Sequence, residues 1–253
     1  MFNPRTYYGE QTDSEPVQTE AQAWQLEAKA DRRRAGNLRA AVFKPRLNLH
    51  KIFWLFVICA IIGFCLETLY FFIKYRHFFG SKGLLYGPFS QVYGCGGVIL
   101  AATLSSLVKK GYSVLFLASA IVGGLFEAFC SLLQEGTLGS VSWDYTYQSL
   151  FLMGGRTSVA AMLYWGVLGV VFMKKIYPSF SIWIDSLPKR QDHLVTRIAA
   201  IFMIVNMVLT LAAVHRWSER TRLIAPEHSI DVLLDTYYPD DYMRKNYPGM
   251  RFE

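Results

Sequence analysis

The stretch KIFWLFVICAIIGFCLETLYFFI, residues 51–73, runs for 23 positions with one acid, Glu67, and no base after Lys51. At 1.5 Å per residue, a helix of that length crosses a hydrocarbon core of roughly 30 Å. Further apolar runs occupy 92–108, 113–134, 152–173 and 198–214, of which the second and fifth are the shortest. Charged residues make up 18% of the chain, below the roughly 25% of a soluble domain, and they cluster between the runs. The sequence therefore reads as an all-α, polytopic membrane helix bundle of about five transmembrane helices. The lipid bilayer is its first partner.

Glu67 does not prevent insertion. Residues 51–73 hold fourteen Ile, Leu, Val and Phe residues. At roughly −0.3 to −0.6 kcal/mol each, they outweigh the roughly +3 kcal/mol of one charge at a helix centre. A second acid, Glu127, stands in IVGGLFEAFC, residues 121–130. Ionisable groups inside membranes face the protein interior or water and mark functional positions.

Lys and Arg set the expected orientation. Residues 1–51 hold nine, 109–112 two and 174–197 five, whereas 135–151 hold none. With five spans, the positive-inside rule places the N-terminus in the cytoplasm. The basic HRWSERTR, 215–222, then falls outside, against the rule, so the side of the C-terminal tail stays open. A half-buried segment at 176–187 is the alternative that would change the span count.

The chain also resembles itself at an offset of 60. Gly63 pairs with Gly123, Glu67 with Glu127 and Gly94 with Gly154, which predicts a tandem two-helix repeat over about 52–108 and 112–173, followed by helix 198–214. Glu67 and Glu127 then lie about 6–8 Å past the middle of parallel helices. Arg156, in a span running the other way, reaches the same layer. One guanidinium can serve two carboxylates, so Glu67, Glu127 and Arg156 form the predicted polar centre. That centre either binds a substrate or ion or locks the bundle as a structural ion-pair network.

Gly63 and Gly123 precede the acids by one turn and read as close helix contacts. Gly87-Pro88 reads as a turn. Tyr86, Tyr93, Trp143, Tyr145 and Tyr147 form an aromatic group near one face, read mainly as an interfacial belt with a minority lining a mouth above the acids, and Asp144 is the acid of that outer mouth. Asn206 is expected to make a helix–helix hydrogen bond. Residues 1–50 form a polar, basic, partly disordered tail with one short helix near 18–35, and residues 215–253 a soluble C-terminal tail. Cys59, Cys65, Cys95 and Cys130 lack metal-ligand spacing, and the five histidines are dispersed. No metal, cofactor or nucleic-acid partner is expected.

GFCLETLYFF, KGLLYGPFSQVYGCGG, WDYTYQSLFLMGGRTSVAAMLYWGVLGV and the late LLDTYYPDDYMRKNYPGM together resemble the CmpB-like family of small bacterial membrane proteins, grouped as type IV ABC-transporter permeases. The likeness covers about 52–250. The family's acid matches Glu67, its turn Gly87-Pro88, its Tyr-Gly pair Tyr93-Gly94, its Trp-Asp-Tyr Trp143-Asp144-Tyr145 and its Gly-Arg Gly155-Arg156. The chain departs from the family at Gly63-Phe64, Ser81-Lys82 and Gln91, where Gly-Trp, Asn-Arg and Pro are usual. The resemblance implies transport across the bacterial inner membrane. The sequence has no P-loop G-x-x-x-x-G-K-[ST], so ATP-driven work implies a separate ATPase subunit. A homo-oligomer is the other candidate assembly. The rival functions are a structural or regulatory membrane protein and, less favoured, a lipid-acting enzyme using Glu127 or Asp144.

Overall fold

The computed structural model describes residues 24–34, 47–76, 83–186 and 189–252. Residues 24–34 form helix α1, within a unit of residues 1–42 distinct from the unit of residues 43–253. The remainder of the polar tail, together with Ser81 and Lys82, lies outside the described residues.

Two 27-residue helices organise the larger unit: α2, Leu49–Tyr75, and α4, Tyr112–Leu138. Each has defined ends. The Asn48 side chain accepts from the Lys51 amide to start α2. Left-handed residues, Arg76 at φ 56° and Gly139 at φ 57°, stop the two helices. A second helix begins half-way along each, entered from the described residues 83–90 after α2 and from 140–158 after α4.

The second helix of the first pair is α3, Gln91–Leu104. The Ser90 amide donates to the Ala60 carbonyl at 3.0 Å, close to the middle of α2. Gly94 then packs on Phe56, so α3 runs back along the first half of α2 only. Its 14 residues extend about 21 Å, too short to cross a bilayer unaided. Loop 83–90 fills the remaining length. Gly87 at φ 81° and Pro88 prevent it from being helical.

In the second pair, α5, Val159–Val171, starts beside the middle of α4. Gly169 packs on Ser119 and Gly166 on Phe116. Residues 152–158, read from the sequence as the start of a membrane helix, are instead a strand and a turn. Strands β2, Phe151–Leu152, and β3, Thr157–Ser158, pair antiparallel, and Gly154 and Gly155 at φ 68° and 86° make the reversal. Likewise Gly94 is helical whereas Gly154 is left-handed, so the offset-60 correspondence does not extend to that pair.

α5 continues through a π-turn, Phe172–Ile176, into α6, Tyr177–Ser186. Pro178 supplies the cause. It has no N–H to offer Lys174 four residues earlier, and its ring crowds that carbonyl, so the turn widens. From this turn the Lys174 ammonium donates to the Val108 carbonyl at 2.6 Å and covers the Tyr112 ring. Thus 176–187 is not a separate half-buried segment: its described part continues the helix. Helix α7, Lys189–Thr221, completes the bundle. Among the described residues, Leu49–Lys74, Tyr112–Leu138, Val159–Ser186 and His193–Thr221 are long and apolar enough to cross a membrane.

The C-terminal tail folds back onto the bundle. Helices α8, Ser229–Tyr237, and α9, Asp240–Asn246, bring Leu234, Tyr238, Met243 and Tyr247 against Leu85, Val214 and Trp217. Strand β4, Arg251–Phe252, pairs with β1, Ser140–Val141, just after α4. The tail and the 139–158 loop therefore share one end of the bundle. HRWSERTR is not a free basic patch there. Arg216 holds Asp235 and Glu219, each at 2.9 Å, and Arg220 holds Asp235 and Asp240.

Asn206 and Thr210 of α7 fasten loop 83–90. The Asn206 Oδ1 accepts from the Tyr86 amide at 3.2 Å, and its Nδ2 donates to the Tyr86 carbonyl at 2.7 Å. Thr210 accepts from the Leu85 amide at 3.1 Å. Asn206 is 2% exposed, and its amide replaces the backbone partner that the loop lacks. Asn206→Leu is expected to leave both Tyr86 groups unpaired, at about 1–3 kcal/mol each. Amide exchange of residues 84–90 measures this, and unchanged protection would contradict it.

Candidate functional site

The G-x-x-x-E pattern has a direct spatial meaning. A Cβ on Gly63 would lie 2.2 Å from the Tyr93 Cβ, and one on Gly123 would lie 2.4 Å from the Trp165 Cγ. Each glycine lets an aromatic ring of the following helix seat against the long helix. The two rings then stack on one another, with centroids 6.0 Å apart and planes at 27°. Phe126 meets Trp165 edge-on at 6.2 Å. The order across the bundle is Gly63, Tyr93, Trp165, Gly123, and the acids stand one turn further along α2 and α4. The Tyr93 hydroxyl is close enough to feel the charge of both Glu67 and Glu127.

Glu127 is the more enclosed acid, at 9% exposure, while Glu67 is half-buried. The loop that turns back into the bundle supplies the donors to Glu127. Tyr145 Oη donates to its Oε1 at 2.8 Å and Thr157 Oγ1 to its Oε2 at 3.0 Å, with the Trp165 indole beside them. Glu127 lies eleven residues before the end of α4, about 16 Å along the helix. The loop must therefore descend deep into the bundle to reach it. Non-helical backbone at such depth persists only where protein buries it or water lines it. Burial, followed by the Glu127 charge, pushes the Tyr145 phenol above its ordinary range, so Tyr145 remains a proton donor.

Arg156 does not join this centre. It stands in the turn before α5, and its guanidinium pairs with Glu135 near the end of α4. Glu127 is met by neutral donors instead. Arg156 also braces the loop, donating to the Met153 carbonyl at 3.3 Å and accepting at its own carbonyl from the Trp143 indole at 3.1 Å. Asp144 is exposed and accepts from the Thr146 amide at 2.8 Å. That bond holds its carboxyl below the usual range. It shapes a turn and is not aimed at the acids. The Tyr145 amide donates to the Gly155 carbonyl at 2.9 Å, and a Cβ at Gly155 would collide with Thr146. Of the residues predicted from sequence, Glu127, Tyr145 and Tyr93 are brought together, with Glu67 within electrostatic reach of Tyr93. Trp143, Asp144, Gly155 and Arg156 build the loop that delivers Tyr145.

Sequence reasoning missed Thr157, Trp165 and Glu135. Ser158, whose side chain caps α5 by accepting from the Ala161 amide at 3.1 Å, was the available signal that the helix starts late. Among the described residues, no group of His, Cys, Asp and Glu could hold a metal ion. A separate apolar groove between α4 and α5, lined by Tyr112, Phe116, Leu117, Val167 and Val170, contains none of the residues around Glu127.

Comparison with known proteins gives one match. The profile of the family described as "Putative ABC-transporter type IV" covers residues 54–211, which include α2 through most of α7. No curated protein matches, and no solved structure does.

Proposed function

Because the chain belongs to the ABC-transporter type IV family, we propose that it is a membrane transport component whose working centre is Glu127. The observation that carries this reading is a carboxylate at bundle depth, supplied with donors by a loop that leaves and re-enters the bundle. Broken helices around a polar centre are how many transporters build substrate sites. A carboxylate flanked by Tyr93, Trp165 and Tyr145 suits a cationic or amine ligand, through charge and aromatic faces. In this reading α3, completed by loop 83–90, counts as a fifth crossing. The bundle end with Lys51, Lys109, Lys110 and Lys174 faces the cytoplasm of a bacterial inner membrane. A separate ATPase subunit would dock at that end.

A second reading has its own support. Both oxygens of Glu127 already have hydroxyl donors, as a structural staple would. Thermal melting of the purified protein against a panel of cations and amines separates the two. Under the transport reading at least one compound raises the melting temperature, by about 2.7 kcal/mol of stabilisation at a hundredfold excess over its Kd, and Glu127→Gln abolishes the shift while still folding. The staple reading holds if no compound shifts the wild type and Glu127→Gln fails to fold.

A further inference from the structure

The polar residues of α4 do not end at Glu127. Ser131 and Glu135 follow at successive intervals of four, on the same helix face. Glu135 meets Arg156 at the bundle end where the 139–158 loop lies. Ser131 is 2% exposed, yet its hydroxyl has no hydrogen-bond partner among the described residues. Ser119 and Thr137 on the same helix donate to the carbonyls four residues back, at 2.7 and 2.6 Å. Ser131 does not, so its Oγ is turned off its own backbone. The Nε of Arg156 is likewise enclosed and unpaired. Buried groups left in this way cost about 1–3 kcal/mol each unless water reaches them.

We infer that water enters the bundle past the Arg156–Glu135 pair and runs along α4 over Ser131 to Glu127, so that this carboxyl exchanges its proton with the solution at the end where α4 and α7 finish. Ser131 stands one turn beyond Glu127 on α4, and Arg156 is held by Glu135 one turn further on. The groups facing Glu127 from neighbouring elements are Tyr93 and, through Tyr93, Glu67; Trp165 from α5; and Tyr145 and Thr157 from the loop. Cys130, on its own helix, and Cys95, on α3, are also within electrostatic reach of this corner. None of these is a permanent cation. Arg156 at the mouth is the one fixed positive charge among the groups named along the line, and Glu135 neutralises it while the two are paired.

The inference deepens the proposed role of Glu127, but its test does not depend on finding a ligand. In nanodiscs, Ser131→Cys is exposed to a water-borne, charged methanethiosulfonate, and modification is read site by site by mass spectrometry. Ser131→Cys is expected to be modified to completion, and Ser119→Cys, buried on the same face, to show none. An unmodified Cys at 131 beside a fully modified Asp144→Cys overturns the path. Should Ser131→Cys fail to fold, hydroxyl-radical footprinting of the unaltered protein reports on Trp165, which is shielded from bulk solvent at 8% exposure. Oxidation of Trp165 supports internal water beside Glu127. A Trp165 as unreactive as the fully buried Tyr177 overturns it.

Discussion

Gly123→Ala is expected to cost the folded protein about 3 kcal/mol, and Gly136→Ala to stabilise it by about 1 kcal/mol. Both glycines lie on α4, and both gain the roughly 1 kcal/mol helix preference of Ala over Gly. They differ in what the added methyl meets. At Gly136 nothing lies within 4 Å, whereas at Gly123 three atoms at the root of Trp165 lie at 2.4–2.5 Å. The root of a side chain cannot swing aside, and this ring is already held between Tyr93 and Phe126. Relief requires α4 and α5 to separate, which is overpacking of a filled core. Gly63→Ala should behave similarly, because the Tyr93 Cβ and Cγ lie at 2.2 Å. Thermal melting in detergent reads the difference, at about 2–4 °C per kcal/mol. Equal melting of Gly123→Ala and Gly136→Ala would rule out the close approach of the two helices.

Removing Arg216 is expected to release the C-terminal fold. Its side chain is 3% exposed and forms a two-pronged pair with Asp235. Arg216→Ala removes the two-pronged pair with Asp235, which keeps Arg220, and the contact to Glu219, a loss at the lower end of the about 3–5 kcal/mol of a broken buried pair. Arg244→Ala is the control. That side chain is 66% exposed and reaches Asp240 at 3.5 Å, so its removal should cost at most about 1 kcal/mol. Limited proteolysis between 223 and 250 reads the effect, and equal resistance of the two variants would refute it. Acid should act in the same direction. The Arg216 hydrogen bonds hold the Asp235 carboxyl below its ordinary range. Its stabilisation is present above the unfolded value of about 3.9 and disappears as pH falls through that value toward the lower folded one. The tail should therefore loosen below about pH 4 in the wild type, and that loosening should be muted in Asp235→Asn.

The docking of the tail also changes what HRWSERTR is in the folded protein. Counted as charges, HRWSERTR argues for the cytoplasm. Arg216 and Arg220 are neutralised by Glu219, Asp235 and Asp240, two of which come from residues far along the chain. A count of basic residues cannot detect this, because the partners meet only once α8 has folded against α7.

The apolar runs and the placing of a glycine one turn before each intramembrane acid were legible, because helix period and lipid solubility are local properties of the chain, whereas the second of the five expected spans is a helix of 14 residues. Arg156 was misplaced because FLMGGR continues an apolar run. Hydropathy does not register that Gly154 and Gly155 take left-handed angles and end the strand before the helix begins. Tyr145 was legible as a candidate site residue, but that it and Thr157 donate to Glu127 was not. Tyr145 and Thr157 stand 18 and 30 positions away and reach the carboxylate through a loop without periodicity. The clamp of Asn206 on Tyr86 spans 120 positions. By itself, then, the sequence determined the apolar helices and the position of each acid along its helix. Only the tertiary structure decided which side chains meet those acids and which charges cancel, since loop descent and tail docking are set by long-range packing and by the need of every buried polar group for a partner.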